Sequence, residues 1–426
     1  MSEFTRQQVN SLCRRLQAPQ EQLTMLFGPR QSGKTTIVLQ ALDRIDSPSA
    51  YASVDDPLAS NKRFRDFAGP AQSEISLPPR DLNADWLIWH WEHARRAARN
   101  LGNFILVIDE IQHIPDWSST IKGLWDADRR NNTDLRVVIL GSAPLAIQRG
   151  LNESLVGRFS VLPVRHWSYQ EMSQAFGFTL DEYLYFGGFP GACKKSLPAT
   201  GGDLFEEFWI NYVLDAVLNP TVDRDVVAMT HIRKPALMRG LFELGAAYSG
   251  QILSFNKMVG QLNDAGNTTT LAGYLRTLES VGLLAGLQNF SGPLRRTRSS
   301  SPKLNVLNTA AMTANSGYSF AEAKADRTYW GRIVESAVGA HLFNTASRRT
   351  KVFYWRHRNQ EVDFVLSRGP QLLALEVGVP GTRKSRSNLE AFAKRFRRAR
   401  SLLVGAGGMP LEEFLSAPAD SWFDRQ

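Results

Sequence analysis

The chain has 426 residues, 43% hydrophobic and 21% charged, which is an ordinary globular balance with length for two or three domains. Its formal net charge of +9 and pI near 9.6 favour a polyanionic partner without naming one. Two cysteines, Cys13 and Cys193, exclude a disulfide framework and a cysteine-built metal site; no run approaches 18 apolar residues, and the polar start MSEFTRQQVN lacks a signal core. A cytoplasmic protein with no membrane span is expected.

Residues 1–170 alternate strands and helices in the order of a parallel α/β sheet, with strands expected at 22–28, 49–55, 104–110, 136–142 and 159–165. The apolar run Leu23 to Phe27 leads into Gly28-Pro29-Arg30-Gln31-Ser32-Gly33-Lys34-Thr35, a full G-x-x-x-x-G-K-[ST] phosphate-binding loop, and Thr35 to Leu42 reads as the helix it opens. Glycines let successive backbone N–H groups turn inward around phosphate oxygens, and the helix N-terminus adds partial positive charge. Lys34 is expected on the β- and γ-phosphates, Thr35 on Mg²⁺, and the loop together with Thr36 forms the expected nucleotide contact. The Trp-rich segment Trp86 to Trp91 belongs to a helix before the next strand and reads as packing.

That strand, Phe104-Ile105-Leu106-Val107-Ile108-Asp109-Glu110, has the unbroken apolar run of a strand buried on both faces. It delivers Asp109 to the carboxyl edge of the sheet, where ligands bind in open α/β folds. Asp109 is the expected second Mg²⁺ residue, and Glu110 the group that polarises the attacking water. The strand from Arg136 to Leu140 ends in Gly141-Ser142-Ala143, placing Ser142 where a hydroxyl can sense the γ-phosphate or orient water. A helical stretch, Pro144 to Leu155, then Gly157-Arg158 and the strand Phe159 to Val164, complete this part.

The second part, 171–303, opens on the aromatic segment Tyr183 to Pro190, and helices are expected near 203–218 and 233–248. Ser254 caps a short helix ending near Leu262, a turn from Asn263 to Gly266 follows, and a second helix starts about Thr268 and is stopped by Gly282. Leu283 to Leu287 then begins a strand. This layout resembles a winged helix-turn-helix, whose second helix would present Asn267, Thr269, Thr270, Gly273 and Arg276. Ser291 to Lys303 holds Arg295, Arg296, Arg298 and Lys303 with no acid and reads as a basic loop for phosphate contacts.

The third part, 304–426, carries a helix from Tyr329 to Asn344, strands at 351–356, 361–367 and 372–379, a helix from Ser387 to Phe396 and a last strand, Ser401 to Gly405. Lys394, Arg397 and Arg398 fall on one face at helical spacing, within a basic run from Arg383 to Arg400.

Residues 1–170 resemble the AAA+ class of P-loop ATPases. That resemblance implies that Arg158, with Arg149 as a weaker candidate, reaches the nucleotide of a neighbouring subunit. The order of the third part resembles the restriction-endonuclease-like core. There the resemblance matches Glu335, Asp363 and Glu376 to metal-gathering acids, while Gly378 stands where a lysine is expected, so no cleavage is expected. Through GPRQSGKTT, LVIDEIQ, SLVGRF, YFGGFPGA and YWRHRNQEVDFVLSRG…LEVG, nearly the whole chain resembles prokaryotic ATPases that join an AAA-type domain to a degenerate nuclease-like domain.

The expected fold is therefore α/β: an AAA+ P-loop parallel sheet (1–170), a helical winged-helix-like domain (171–303) and a restriction-endonuclease-like α/β domain (304–426). The expected activity is hydrolysis of ATP with Mg²⁺, DNA-stimulated, in a homo-oligomer such as a hexameric ring that remodels or translocates on DNA. A nucleotide-gated regulatory or defence switch without motor activity is the alternative, and an ATP-regulated nuclease a third.

Overall fold

The computed structural model describes residues 4–19, 21–54, 79–141, 155–193, 203–226, 232, 234–264, 266–292, 300–379 and 387–424. They form two compact units, Met1–Val164 and Arg165–Gln426; the expected parts 171–303 and 304–426 both fall in the second.

In the first unit, β1 (Leu23–Phe27), β2 (Ser49–Ser53), β3 (Phe104–Asp109), β4 (Leu135–Gly141) and β5 (Phe159–Pro163) pair in the order β2-β3-β4-β1-β5. Every pairing is parallel, as the alternating pattern predicts. Such a sheet must be covered on both faces. Side chains alternate across it, so Leu106 and Ile108 join one core while Ile105 and Val107 join the other. The first core is filled by Trp86 and Trp91 of α3 (Ala84–Leu101) and by Ile121 and Trp125 of α4 (Trp117–Arg130). The second is filled by Val9 and Leu12 of α1 (Gln7–Gln17) and by Ile37, Val38 and Ala41 of α2 (Lys34–Arg44). Asn83 caps α3 by accepting from the N–H groups of Asp85 and Trp86. The Trp91 indole donates to Asp128 Oδ2 at 2.6 Å, which keeps a buried N–H satisfied. The tryptophans thus pack, as their segment suggests.

The second unit begins with α5 (Tyr169–Phe176) and α6 (Leu180–Phe186), each opened by a reciprocal Ser/Thr–Glu capping box. Around the expected helix 203–218, α-helix holds only over α7 (Asp203–Asn211), and Tyr212–Leu218 winds more widely as a π-helix. After α8 (Pro235–Ala247), Ser254 caps α9 (Phe255–Gln261) and Asn267 caps α10 (Thr268–Ser280). Gly282 turns the chain at φ 79, and β6 (Leu284–Leu287) pairs antiparallel with β7 (Lys303–Val306). The elements after β7 that matter below are a helix of 19 residues, Arg327–Thr345, and a four-stranded sheet. Its strands are β8 (Thr350–His357), β9 (Gln360–Arg368), β10 (Gln371–Gly378) and β11 (Ala399–Gly405), in the order β11-β10-β9-β8. The β10–β11 pairing is parallel and the other two are antiparallel.

The basic helix is shorter than its charge pattern suggests. It spans Ser387–Arg395, with Leu389 and Phe392 buried. Arg397 and Arg398 lie in the turn to β11, so Lys394, Arg397 and Arg398 do not share a helix face. The cause is the pairing of β11 with β10, which needs extended chain from Ala399.

The helix Arg327–Thr345 lies against β7 at Gly339. A Cβ there would sit 2.0 Å from Asn305 Oδ1. Asn305 is fully buried, and its amide donates to Val306 O at 2.7 Å and Ser336 O at 3.1 Å, so it is pinned. Gly339→Ala should destabilise the second unit by ~1–3 kcal/mol through overpacking. Denaturant unfolding of the full chain measures this, and unchanged stability would mean that helix and strand can separate freely.

Candidate functional site

The site is built at the carboxyl ends of β1 and β3. Phe27 aligns with Gly141 and Ile108 with Ile139 through the shared neighbour β4, so the two strands end nearly level. Gly28 follows β1 where the backbone of Val164 comes close; a Cβ at Gly28 would be 1.9 Å from Val164 O. Gln31 (φ 59) and Gly33 (φ 85) turn the loop through left-handed backbone and lead into α2. Only glycine adopts that region without steric cost.

Lys34 is the first residue of α2 and only 6% exposed. Its ammonium donates to Gly28 O at 3.1 Å and Pro29 O at 3.0 Å, so the loop closes on its own lysine. Ser32 donates to Pro29 O at 2.8 Å, and Arg6 donates to Ser32 O at 2.7 Å. Pro29 is buried, Arg30 half-buried, and Gln31, Thr35 and Thr36 are exposed. The sequence reading missed Arg6, since nothing local marks a basic residue 26 positions upstream as a prop for this loop.

Thr35 Oγ1 donates to Asp109 Oδ2 at 3.0 Å, which joins the two motifs in space. Tyr51 Oη donates to the same oxygen, and Asp109 Oδ1 accepts from the Glu110 N–H at 2.9 Å. Burial pushes the Asp109 carboxyl above its ordinary value; the Tyr51 and Thr35 hydrogen bonds oppose that rise and the Glu110 charge adds to it. Burial, with the Asp109 charge second, raises the Tyr51 hydroxyl, so it stays a donor at neutral pH. A threonine hydroxyl beside an aspartate carboxylate is a hard-oxygen donor set of the kind Mg²⁺ takes. Glu110 sits just beyond β3 in left-handed backbone (φ 55, ψ 42), and its carboxylate accepts from the Gln112 amide. For a residue with a Cβ that conformation costs about 1–2 kcal/mol. Tyr51 and Gln112 were not singled out from sequence either; an aromatic at a strand end reads first as packing.

Arg158 lies apart from this cluster. Leu23 pairs with Phe159, so Arg158 stands at the amino end of the sheet, the far end of β1 from the loop. Its guanidinium donates to Asp126 Oδ1 at 2.8 Å and Oδ2 at 3.1 Å, a bidentate pair with α4. Ser142, Arg149 and the expected helix Pro144 to Leu155 up to residue 154 lie outside the described residues.

In the second unit, Asp363 and Glu376 lie in β9 and β10 and are buried. Lys303, read above as a phosphate contact in a basic loop, is instead 1% exposed, at the first position of β7. Its strand pairing turns the side chain inward. Arg295, Arg296 and Arg298, with Arg383 and Lys384, lie outside the described residues.

Residues 20–173 match an AAA domain. Residues 177–320 match a domain of unknown function (DUF8612), and residues 330–416 another (DUF4143). The chain thus carries an AAA domain, a nucleotide-binding module, followed by two domains whose roles these matches leave open. No curated protein matches the chain. Among solved structures, it is similar to the Walker-type ATPase Paby2304 of Pyrococcus abyssi, at 14% identity and TM-score 0.45, over 74% of this chain and 98% of that one. It is also similar to Cdc6p from Pyrobaculum aerophilum (16%, TM-score 0.30, 66% of this chain and 87% of that one). A third is the Aeropyrum pernix Orc1 protein in complex with DNA (13%, TM-score 0.29, 74% and 92%). Among the described residues no helix is long and apolar enough to cross a membrane.

Tyr51→Phe removes one donor from Asp109 and leaves the loop intact. It should raise the Mg²⁺ concentration needed for half-maximal binding of a fluorescent ATP analogue by ~10-fold, the usual scale for an outer-shell partner of a metal site. Unchanged Mg²⁺ dependence would show that Tyr51 does not position Asp109.

Proposed function

We propose that the chain hydrolyses ATP with Mg²⁺ in a homo-oligomer and couples turnover to remodelling of, or translocation on, DNA. The observation that carries the enzymatic half is the Thr35–Asp109 hydrogen bond, because it places the phosphate loop beside the strand end that bears Glu110. Gly28 to Thr36 would hold the triphosphate through backbone N–H groups, except at Pro29, which has none and only shapes the turn. Lys34 would exchange its two loop carbonyls for β- and γ-phosphate oxygens. Thr35 and Asp109 would hold Mg²⁺, which supplies charge neutralisation on the phosphates. Glu110, braced by Gln112, would orient and polarise water, with Ser142 proposed to assist.

Arg158 cannot serve its own loop. Running from Leu23 to Phe27, β1 separates it from Gly28 by roughly 13 Å or more, at about 3.3 Å per residue. A neighbouring copy is therefore the proposed recipient of its guanidinium, which binds phosphate oxygens bidentately and is always charged. The bond to Asp126 would have to be exchanged, and an ion pair whose side chains are each 32% exposed contributes little and yields readily. A contact of this head-to-tail kind closes into a ring or continues as a helix. That self-directed ion pair also favours the second reading, a nucleotide-gated switch with slow turnover.

Glu110→Gln should bind ATP while losing ~10³-fold or more in turnover. Arg158→Ala should likewise bind but not hydrolyse, and mixing it with Lys34→Ala should restore part of the rate, since each supplies what the other lacks. Steady-state ATPase assays over a concentration series read this out. Full activity of a monomer at every dilution would sink the intersubunit arrangement.

The proposed DNA contact is the exposed run Lys394, Arg395, Arg397, Arg398 and Arg400. The proposed layout remains three domains, with α9, α10 and the β6–β7 hairpin as the winged helix and β8 to β11 as the restriction-endonuclease-like sheet. Asn267, Thr269 and Arg276 are exposed there and Thr270 half-buried, as a reading helix would need. Replacing Arg395, Arg397 and Arg398 by Glu should weaken binding to all sequences alike and flatten its salt dependence, by about 0.9 in log–log slope for each phosphate no longer neutralised. Unchanged affinity would assign the patch to another partner. ATPase rates against duplex, single-stranded, forked and four-way DNA separate the two readings: stimulation supports the motor, indifference the switch.

A further inference from the structure

Among the described residues of the second unit, Lys303 is the most deeply buried cation. Its ammonium lies 2.6 Å from Glu335 Oε1, 3.5 Å from Glu361 Oε1 and 3.5 Å from Asp363 Oδ1. It also lies 3.4 Å from the Asp363 carbonyl oxygen, with the Phe364 ring centroid at 5.3 Å. Three elements thus converge on one positive charge: β7 supplies the lysine, the helix Arg327–Thr345 supplies Glu335, and β9 supplies Glu361 and Asp363. Asp363 Oδ2 accepts from the Val377 N–H of β10 at 2.9 Å, and the next residue back along that strand is the buried Glu376. Burial pulls the Lys303 ammonium toward neutrality, and the charges of Glu335, Asp363 and Glu361 outweigh it, so the group stays protonated.

We propose that the Lys303 ammonium is the resident cation of this carboxylate cluster, filling the position a divalent metal ion would otherwise take. Asp363 and Glu376 are buried while Glu335 and Glu361 are partly exposed, and a carboxylate held away from water needs positive charge beside it. A metal ion meets that need in many proteins; here the chain meets it covalently. The lysine stem rises from a strand paired to β6, so it has no route out that leaves the hairpin in place. A divalent ion entering beside it would meet like charge at close range. Nor can β10 contribute a second basic group at Gly378, because any Cβ there would be 2.3 Å from Ala406 O. The cluster therefore binds no metal, ties β7 to the helix and β9, and carries out no metal-dependent phosphodiester cleavage.

Mn²⁺ is the probe, titrated into the full chain and its variants by electron paramagnetic resonance and thermal unfolding. Any Mn²⁺ held near Thr35 and Asp109 is common to all of them. In the wild-type chain, Asp363→Asn should leave the Mn²⁺ stoichiometry unchanged. Lys303→Ala should lower the unfolding midpoint in chelator by roughly 5–10 °C, and millimolar Mn²⁺ should recover at least half of that loss. Adding Asp363→Asn to Lys303→Ala should abolish the recovery. A wild-type chain that binds Mn²⁺ through Asp363, or nicks DNA in an Asp363-dependent way, overturns the proposal. So does a folded Lys303→Ala chain whose loss Mn²⁺ does not touch. Should Lys303→Ala fail to fold, the wild-type comparison with Asp363→Asn still decides, because Asp363-dependent Mn²⁺ binding refutes the proposal and its absence supports it.

Discussion

The parallel register of β1, β4 and β3 is the constraint on which the candidate nucleotide site rests. One strand lies between the two that carry the motifs, so their ends stand about 9–10 Å apart at the usual strand spacing. Only side chains level with each other can bridge that gap. Asp109 shares the parity of Ile105 and Val107, whose face is covered by α1 and α2. It therefore leaves the sheet on the side where the phosphate loop enters α2, and meets Thr35 there. A slip of one residue would turn Asp109 to the tryptophan-packed face. The many fully buried positions of β1 and β3 prevent that slip, because it would exchange the contents of both cores at once.

The strained backbone at Glu110 belongs to the same arrangement. Continuing as a strand would point Glu110 toward the α3–α4 core, where an unpaired carboxylate is costly. The left-handed turn instead directs it to Gln112 and keeps it half-buried at the sheet edge. A conformational cost of order 1 kcal/mol is small beside that of burying a bare charge.

In the second unit, basic residues serve two opposite ends. Lys394, Arg395, Arg397 and Arg398 face solvent, where they create a positive field and stabilise little. Lys303 faces inward and neutralises acids drawn from a distant helix and strand. Its neighbourhood in the chain, Ser300 to Lys303 after a run of arginines, belongs in composition with the exposed group. Pairing with β6 decides otherwise, since the strand's alternation turns position 303 away from water.

The amino-acid sequence by itself determined the α/β class, the five strands of the first sheet, the G-x-x-x-x-G-K-T loop and the paired acids at the end of β3. These are local signals: a run of apolar residues fixes burial, glycines fix the loop, and both lie within a few residues of the chemistry they serve. It likewise marked Ser254 and Gly282 as helix boundaries and the strands of the last sheet, because capping and alternation are also local. The tertiary structure alone decided that Tyr51, Arg6 and Gln112 support the site, that Arg158 stands at the opposite end of its sheet, and that the basic helix stops at Arg395. It alone brought Lys303 to Glu335, Glu361 and Asp363. The Gln112 brace is a contact two residues away that only the left-handed turn at Glu110 makes possible, and Arg6 reaches the loop from the start of α1. The others depend on which strands pair and in what register, and the free energy that sets a register is spread over a whole core and is not written in the residues it brings together.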